Sequence, residues 1–313
     1  MDTCAMTTRF PVAPQRRAAG FWLVVMIASL LALFAGTAGA AAPKDWWVNV
    51  TNDRADEVRK QLARGADPNV VDAEGLPSIM LAIREGSWAV YDVLAANKRS
   101  NLNIENKFGE TPLMYLAVVG ETRRAQALIQ RGAQVNRLGW TPLQYAASRG
   151  HLETVKMLLS NKAVVNSPGP DGTTALMMAA FNGSEDVAQY LLNNGADITM
   201  RTLAKEGAAD WARKRGFDAL AAKLGAVEQR VLVYQKALRD QASRVTVFGA
   251  DGNPVSAQTH VNVTSAIPKP SLNLNAPVAA PQAGRSDTAG QATSDNGTSR
   301  YFDLKRFDQP SAP

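Results

Sequence analysis

The chain has 313 residues, 46% of them hydrophobic and 20% charged, which is the balance of a polymer that buries a core and excludes a wholly disordered one. Its net charge of +6 comes from 34 basic and 28 acidic residues, a mixed surface without the concentrated basic face that nucleic-acid binding requires. A single cysteine, Cys4, and two histidines, His151 and His260, exclude a disulfide framework and leave too few ligands for a zinc site.

The first element is a leader. Arg16 and Arg17 precede an uncharged run over 20–42 that ends in small residues, with Ala38, Gly39 and Ala40 spaced as a signal peptidase requires. The expectation is a signal peptide over 1–40, with Ala38, Ala40 and Ala41 around the cleavage point. The alternative is an uncleaved anchor, since about 18 apolar residues can span a bilayer. In either case the arginines stay on the cytoplasmic side, so the remainder lies across the membrane: periplasmic or secreted if cleaved, anchored in the inner membrane and facing the periplasm if not. Without the leader's Arg9, Arg16, Arg17 and Asp2 the net charge falls from +6 to +4, and no thiol remains.

From 41 to 225 the chain repeats itself. "GETPLMYLAVVG" (109–120), "GWTPLQYAASRG" (139–150) and "GTTALMMAAFNG" (172–183) superpose without gaps, and "GLPSIMLAIREG" (75–86) follows with weaker matches. Residues 77, 111, 141, 174 and 207 are equivalent, with steps of 34, 30, 33 and 33, and a period of this size implies a solenoid. Each block is followed by a second helical pattern, as in "HLETVKMLLSNKAVVN" (151–166) and "SEDVAQYLLNNGADIT" (184–199), whose apolar residues share one face. The unit is helix, tight turn, helix, loop. In Thr111-Pro112 and Thr141-Pro142 the threonine can cap the first helix while proline occupies its first turn, where no amide donor is needed. Ala146-Ala147 and Ala179-Ala180 allow close helix approach, and Gly120, Gly150 and Gly183 break the chain between the two helices.

These residues resemble the ankyrin repeat family over about 45–225. The resemblance implies an all-α solenoid of about five to six repeats with β-hairpin-like fingers and degenerate terminal repeats. His151 falls where the family itself carries histidine, which makes it scaffold rather than catalyst. The family's threonine-to-histidine relay is missing, because Met80, Met114, Gln144, Met177 and Asp210 stand at that histidine position, and local rigidity should suffer. The 30-residue step shortens the finger between Asn136 and Gly139, whereas "SPGPDG" (167–172) is full length.

Beyond the repeats, 226–256 reads as a C-terminal helix, with Val227, Val231, Tyr234 and Leu238 forming one seam, followed by a hairpin-like stretch over 245–256. Residues 257–313 are rich in Ala, Ser, Thr, Asn, Gln and Pro, and are expected to form a disordered tail. Within it Tyr301, Phe302 and Phe307 form a short aromatic cluster that could dock on a partner.

No nucleophile elbow, phosphate loop or nucleotide fingerprint is present, so neither an enzyme nor a cofactor is expected. What a solenoid offers is an extended concave surface. The family's variable positions place Phe108, Val118, Val119, Leu138, Trp140, Arg149, Phe181 and Asn182 on that surface, where an apolar patch would mark a partner-binding site. Folding of Trp140 back onto its neighbours is the alternative. The function expected is a non-enzymatic scaffold outside the cytoplasm, binding a protein partner as a monomer. The second reading is an accessory or protective protein for an exported enzyme or small ligand. Contact with a membrane is expected only if 20–42 is retained.

Overall fold

The computed structural model describes residues 42–244 and 268–276, with side chains of the first span through Gln241. The leader with Ala38, Ala40 and Ala41, the 245–256 stretch and Tyr301, Phe302 and Phe307 lie outside the described residues. Among those described there are twelve helices and no strand, and the only pairing of extended chain is an isolated antiparallel bridge between Val71 and Pro77.

The helices come in pairs: α1 (Trp46–Thr51) with α2 (Ala55–Ala63), α3 (Ser78–Arg84) with α4 (Trp88–Ala96), and α5 (Pro112–Val119) with α6 (Thr122–Gln130). They continue with α7 (Pro142–Ser148) and α8 (Leu152–Ser160), α9 (Ala175–Asn182) and α10 (Glu185–Asn193), and α11 (Ala208–Lys214) and α12 (Asp218–Arg244). The first helix of each pair packs on the first helix of the next, from α1 to α11, and the second helices form a parallel outer row. The result is a two-layer solenoid. Its buried side chains form two adjoining apolar clusters, and Ile129, Val135 and Met157 pack against both.

Local sequence explains the boundaries. Thr111 and Thr141 are extended, at φ −114° and −125°, and hand over to a proline in the first turn. Gly120 and Gly183 end α5 and α9 in the left-handed region, at φ 78° and 75°. A second reason keeps these positions free of a side chain: a Cβ on Gly120 would come within 2.8 Å of the His151 ring, and one on Gly183 within 2.7 Å of the Phe217 ring.

Successive repeats are also clamped by asparagine carboxamides. Asn69, Asn103, Asn136 and Asn166 each accept a backbone N–H from the next repeat, those of Asn101, Gln134, Val164 and Asp197, at 2.7–2.8 Å. Each also donates to a carbonyl of that same loop, those of Arg99, Gly132, Lys162 and Gly195, at 2.8–3.1 Å. One side chain thus satisfies two backbone groups left over at a helix end.

Two features depart from the expected layout. The closing repeat and the C-terminal helix are not separated near 225/226, since α12 runs unbroken from Asp218 to Arg244. Gly225 lies inside it with open space where a Cβ would be, so it costs propensity without breaking the helix. The expectation of a disordered tail fails at 268–276, which lies along the end of the solenoid with Leu274 buried in the core cluster and Leu272 packed against it. Averaged composition conceals such a segment because two leucines suffice to anchor it.

Candidate functional site

Between helix pairs the chain projects as a row of fingers. Four of them are closed by backbone hydrogen bonds: Asp72 N–H to Leu76 O at 3.0 Å, Asn106 N–H to Glu110 O at 3.0 Å, Gly169 N–H to Thr173 O at 2.7 Å, and Thr202 N–H to Glu206 O at 2.9 Å. The shortened finger is held differently, by Arg137, whose guanidinium donates to the Gly109 carbonyl and, at 2.9 Å, to Glu105. Neighbouring tips touch along the row. A Cβ on Gly75 would meet Lys107 at 3.6 Å, one on Gly139 would meet Pro170 at 3.9 Å, and one on Gly172 would meet Arg201 O at 3.0 Å.

Apolar side chains crown this row. Leu138 is 95% exposed, Leu203 82% and Phe108 58%, with the Lys107 ammonium 5.3 Å from the Phe108 ring centre. Beside the tips, at the ends of the inner helices, Val119 is 37% exposed, Asn182 is exposed and Arg149 is half-buried. Phe181 is half-buried too, edge-on to Trp211 at 5.7 Å and covered by the Arg215 guanidinium at 4.5 Å. These positions combine apolar and aromatic contact area with cations, the mixture common at protein interfaces.

Two residues expected on the patch belong to the core. Val118 is buried in the last turn of α5, on the face shared with Met114 and Ala117. Trp140 is 8% exposed, and its ring lies under the next finger, where a Cβ on Gly169 would come 3.1 Å from it. The cause is general to the position: Glu110, Trp140 and Thr173 each precede a helix-capping threonine, and all three are buried. In contrast, Leu203 was not among the sequence candidates. Its signal lies in register, since Lys205 takes the place of Gly172 in its finger, with φ 63° in the glycine's left-handed region, and Leu203 then falls at the tip.

The family model for ankyrin repeats (3 copies) matches residues 48–138 and 126–202. Residues 48–202 are ankyrin repeats. It is 28% identical over 140 residues to the ankyrin repeat and SAM domain-containing protein 6 of Rattus norvegicus, covering 45% of this chain and 12% of that protein. It is 27% identical over 158 residues to a probable E3 ubiquitin-protein ligase of Oryza sativa subsp. japonica, covering 47% of this chain and 30% of that one. The chain thus spans well under half the length of these relatives.

The ankyrin relay proves to be present at one repeat, with glutamine in place of histidine. Gln144 Oε1 accepts from Thr141 N at 2.7 Å and Thr141 Oγ1 at 3.0 Å, while its Nε2 donates to Thr173 O at 2.7 Å and Ser167 O at 3.2 Å. A carboxamide offers the same acceptor and donor pair as a neutral imidazole, so the capping threonine is still tied to the next ankyrin finger. At Met177 only the simple cap survives, Thr174 Oγ1 accepting from Met177 N at 3.3 Å. His151 sits with Nε2 3.0 Å from Val118 O of the preceding ankyrin repeat, a bridge between repeats. Among the described residues no three His, Cys, Asp or Glu side chains converge as a metal site, and no helix is long and apolar enough to cross a membrane.

Proposed function

We propose that this protein is a non-enzymatic scaffold that acts outside the cytoplasm and binds a partner protein through its fingertips and the adjoining ends of the inner helices. Ankyrin repeats in general mediate protein–protein interaction. The observation that carries the reading here is the contiguous row of tips bearing Phe108, Leu138 and Leu203, exposed apolar side chains that sit outside both core clusters. Exposed apolar groups gathered along one edge mark a site that another surface covers. Arg149, Asn182, Val119 and the Arg215-covered Phe181 extend it onto the concave side.

Export rests on the leader, with its arginine pair, uncharged run and small-residue end. Amino-terminal sequencing of protein recovered from the producing cell tests it: a start near Ala41 is expected, and a chain retaining 20–42 would refute cleavage. For the binding surface, a triple substitution of Phe108, Leu138 and Leu203 by Asp is expected to abolish capture of the partners that the wild-type chain retains, with the thermal midpoint nearly unchanged. The same set of partners on both proteins would reject the fingertip site.

A further inference from the structure

The far end of the solenoid carries a second arrangement, independent of the fingertips. Residues 268–276, "PKPSLNLNA", cross α10 and α12 and are held mainly through their backbone. The Gln189 carboxamide grips the peptide at two points, accepting from Leu274 N at 2.7 Å and donating to Leu272 O at 3.3 Å. Arg230 donates to two further carbonyls, Ser271 O at 3.1 Å and Asn273 O at 2.9 Å. Lys223, paired with Glu185 at 2.6 Å, donates to Asn275 Oδ1 at 2.8 Å. Leu274 is 3% exposed, in the same cluster as Leu224 and Val227, and Leu272 packs beside it.

This is how a peptide-binding groove divides its work. Main-chain hydrogen bonds hold any sequence in register, and pockets for alternate side chains choose among sequences. The two leucines supply that choice, one polar residue apart, and the asparagine after the second reaches the lysine. Tethering raises the effective concentration of such a ligand, up to about millimolar for a well-matched connection, so a resident segment holds the groove against free competitors.

The geometry points to the α10/α12 groove as a recognition site for short Leu-x-Leu-Asn peptides, occupied in this chain by its own Leu272–Asn275 segment and open to a peptide of the same chemistry when that segment is released. Gln189 and Arg230 read the backbone, the Leu274 pocket reads the sequence, and Lys223 reads the asparagine.

The test uses the full chain carrying Leu272→Asp and Leu274→Asp, and as probe a fluorescent synthetic peptide of residues 268–276. Anisotropy should show the probe binding to this released chain at least about tenfold more tightly than to the wild type, whose own segment competes. Placing Asp at both leucines of the probe, or adding Gln189→Ala and Arg230→Ala to the released chain, should remove the binding. Circular dichroism checks that each variant is folded. A folded released chain that ignores the probe overturns the proposal, and so does equal binding to released and wild-type chains. Should the leucine variants not fold, Gln189→Ala with Arg230→Ala in the wild-type chain gives a second route. Hydrogen exchange at the Leu274 amide should then speed up by tenfold or more, and unchanged protection overturns the assignment. A concentration-dependent dimer of the wild type that the leucine substitutions abolish would also overturn it, by placing the segment in a second copy.

Discussion

Trp140 and Leu138 are two residues apart in the same shortened finger, and the structure gives them opposite roles. Trp140 lies under the turn around Gly169, at 8% exposure, whereas Leu138 at 95% touches almost nothing. Trp140→Ala therefore removes a large buried side chain between two repeats, and losses of this type amount to about 3–5 kcal/mol. Against a typical domain stability of about 5–15 kcal/mol this is a large share. Because repeat arrays are stabilised by nearest-neighbour contacts, the loss falls on the junction between the α7/α8 and α9/α10 pairs. With a urea dependence of about 2 kcal/mol per molar, the unfolding midpoint should drop by roughly 1.5–2.5 M. Leu138→Ala should stay within about 0.5 kcal/mol of wild type, as surface substitutions do. Urea titrations followed by far-ultraviolet circular dichroism measure both. A Trp140→Ala loss below about 1 kcal/mol, or a Leu138→Ala loss above it, would refute the placement of these side chains. The pair also guards the binding assay, since partner loss on Trp140→Ala would report damaged scaffold rather than a lost contact.

Gln144→Leu strands the buried Thr141 N–H and leaves the Thr173 carbonyl with Gly169 N–H alone, and should cost about 1–3 kcal/mol by urea titration, while Gln144→His should recover most of it by restoring an acceptor and a donor. Burial, and next the negative charge of Asp92, push the Tyr91 phenol well above its ordinary value of 10.0, so the native state keeps the proton that the unfolded chain loses. Stability from this group is intact below pH 10 and declines as pH rises above it, and Tyr91→Phe should flatten that decline in thermal melts run across the alkaline range. Asn136→Ala breaks the clamp on Lys162 O and Val164 N and should cost about 1–2 kcal/mol, with faster hydrogen exchange at Val164.

The repeat was legible because its signals are local and recur in register: threonine-proline at the helix start, alanine pairs in the inner helices, glycine at the break. The finger surface was read less well, since a linear pattern gives positions but not the direction in which each side chain leaves a turn. The family's variable positions put Trp140, the residue before the capping threonine, at the surface, whereas in the fold that position faces the neighbouring finger. The asparagines were visible as a recurrent letter at 69, 136 and 166, but their partners lie about 30 residues away in the next repeat, beyond any local pattern. The docked segment at 268–276 was concealed for the same reason, its partners Gln189 and Arg230 being long-range.

The asparagine clamps stop at a definite place, and the stop has a cause that can be tested. The position after Asn166 in this series is Thr199, whose N–H and hydroxyl both turn back to Asp197, at 2.8 and 2.7 Å. Every earlier asparagine grips a loop that follows a helix end, where carbonyls and amides lack partners. Carrying the same offset forward from 199 leads to about residues 228–230, which lie inside α12 and not in a loop. Backbone groups there are consumed by the helix itself. An asparagine at 199 would find nothing to hold, and this junction relies instead on buried Leu220, Leu224 and Val227 and on the Arg201–Glu228 ion pair. Thr199→Asn, although it restores the repeat's own pattern, should leave stability within about 0.5 kcal/mol of wild type in urea titration. A gain above about 1 kcal/mol, the usual yield of a new hydrogen bond, would mean that α12 frees its backbone near 228 and that the continuous helix is wrong at that point.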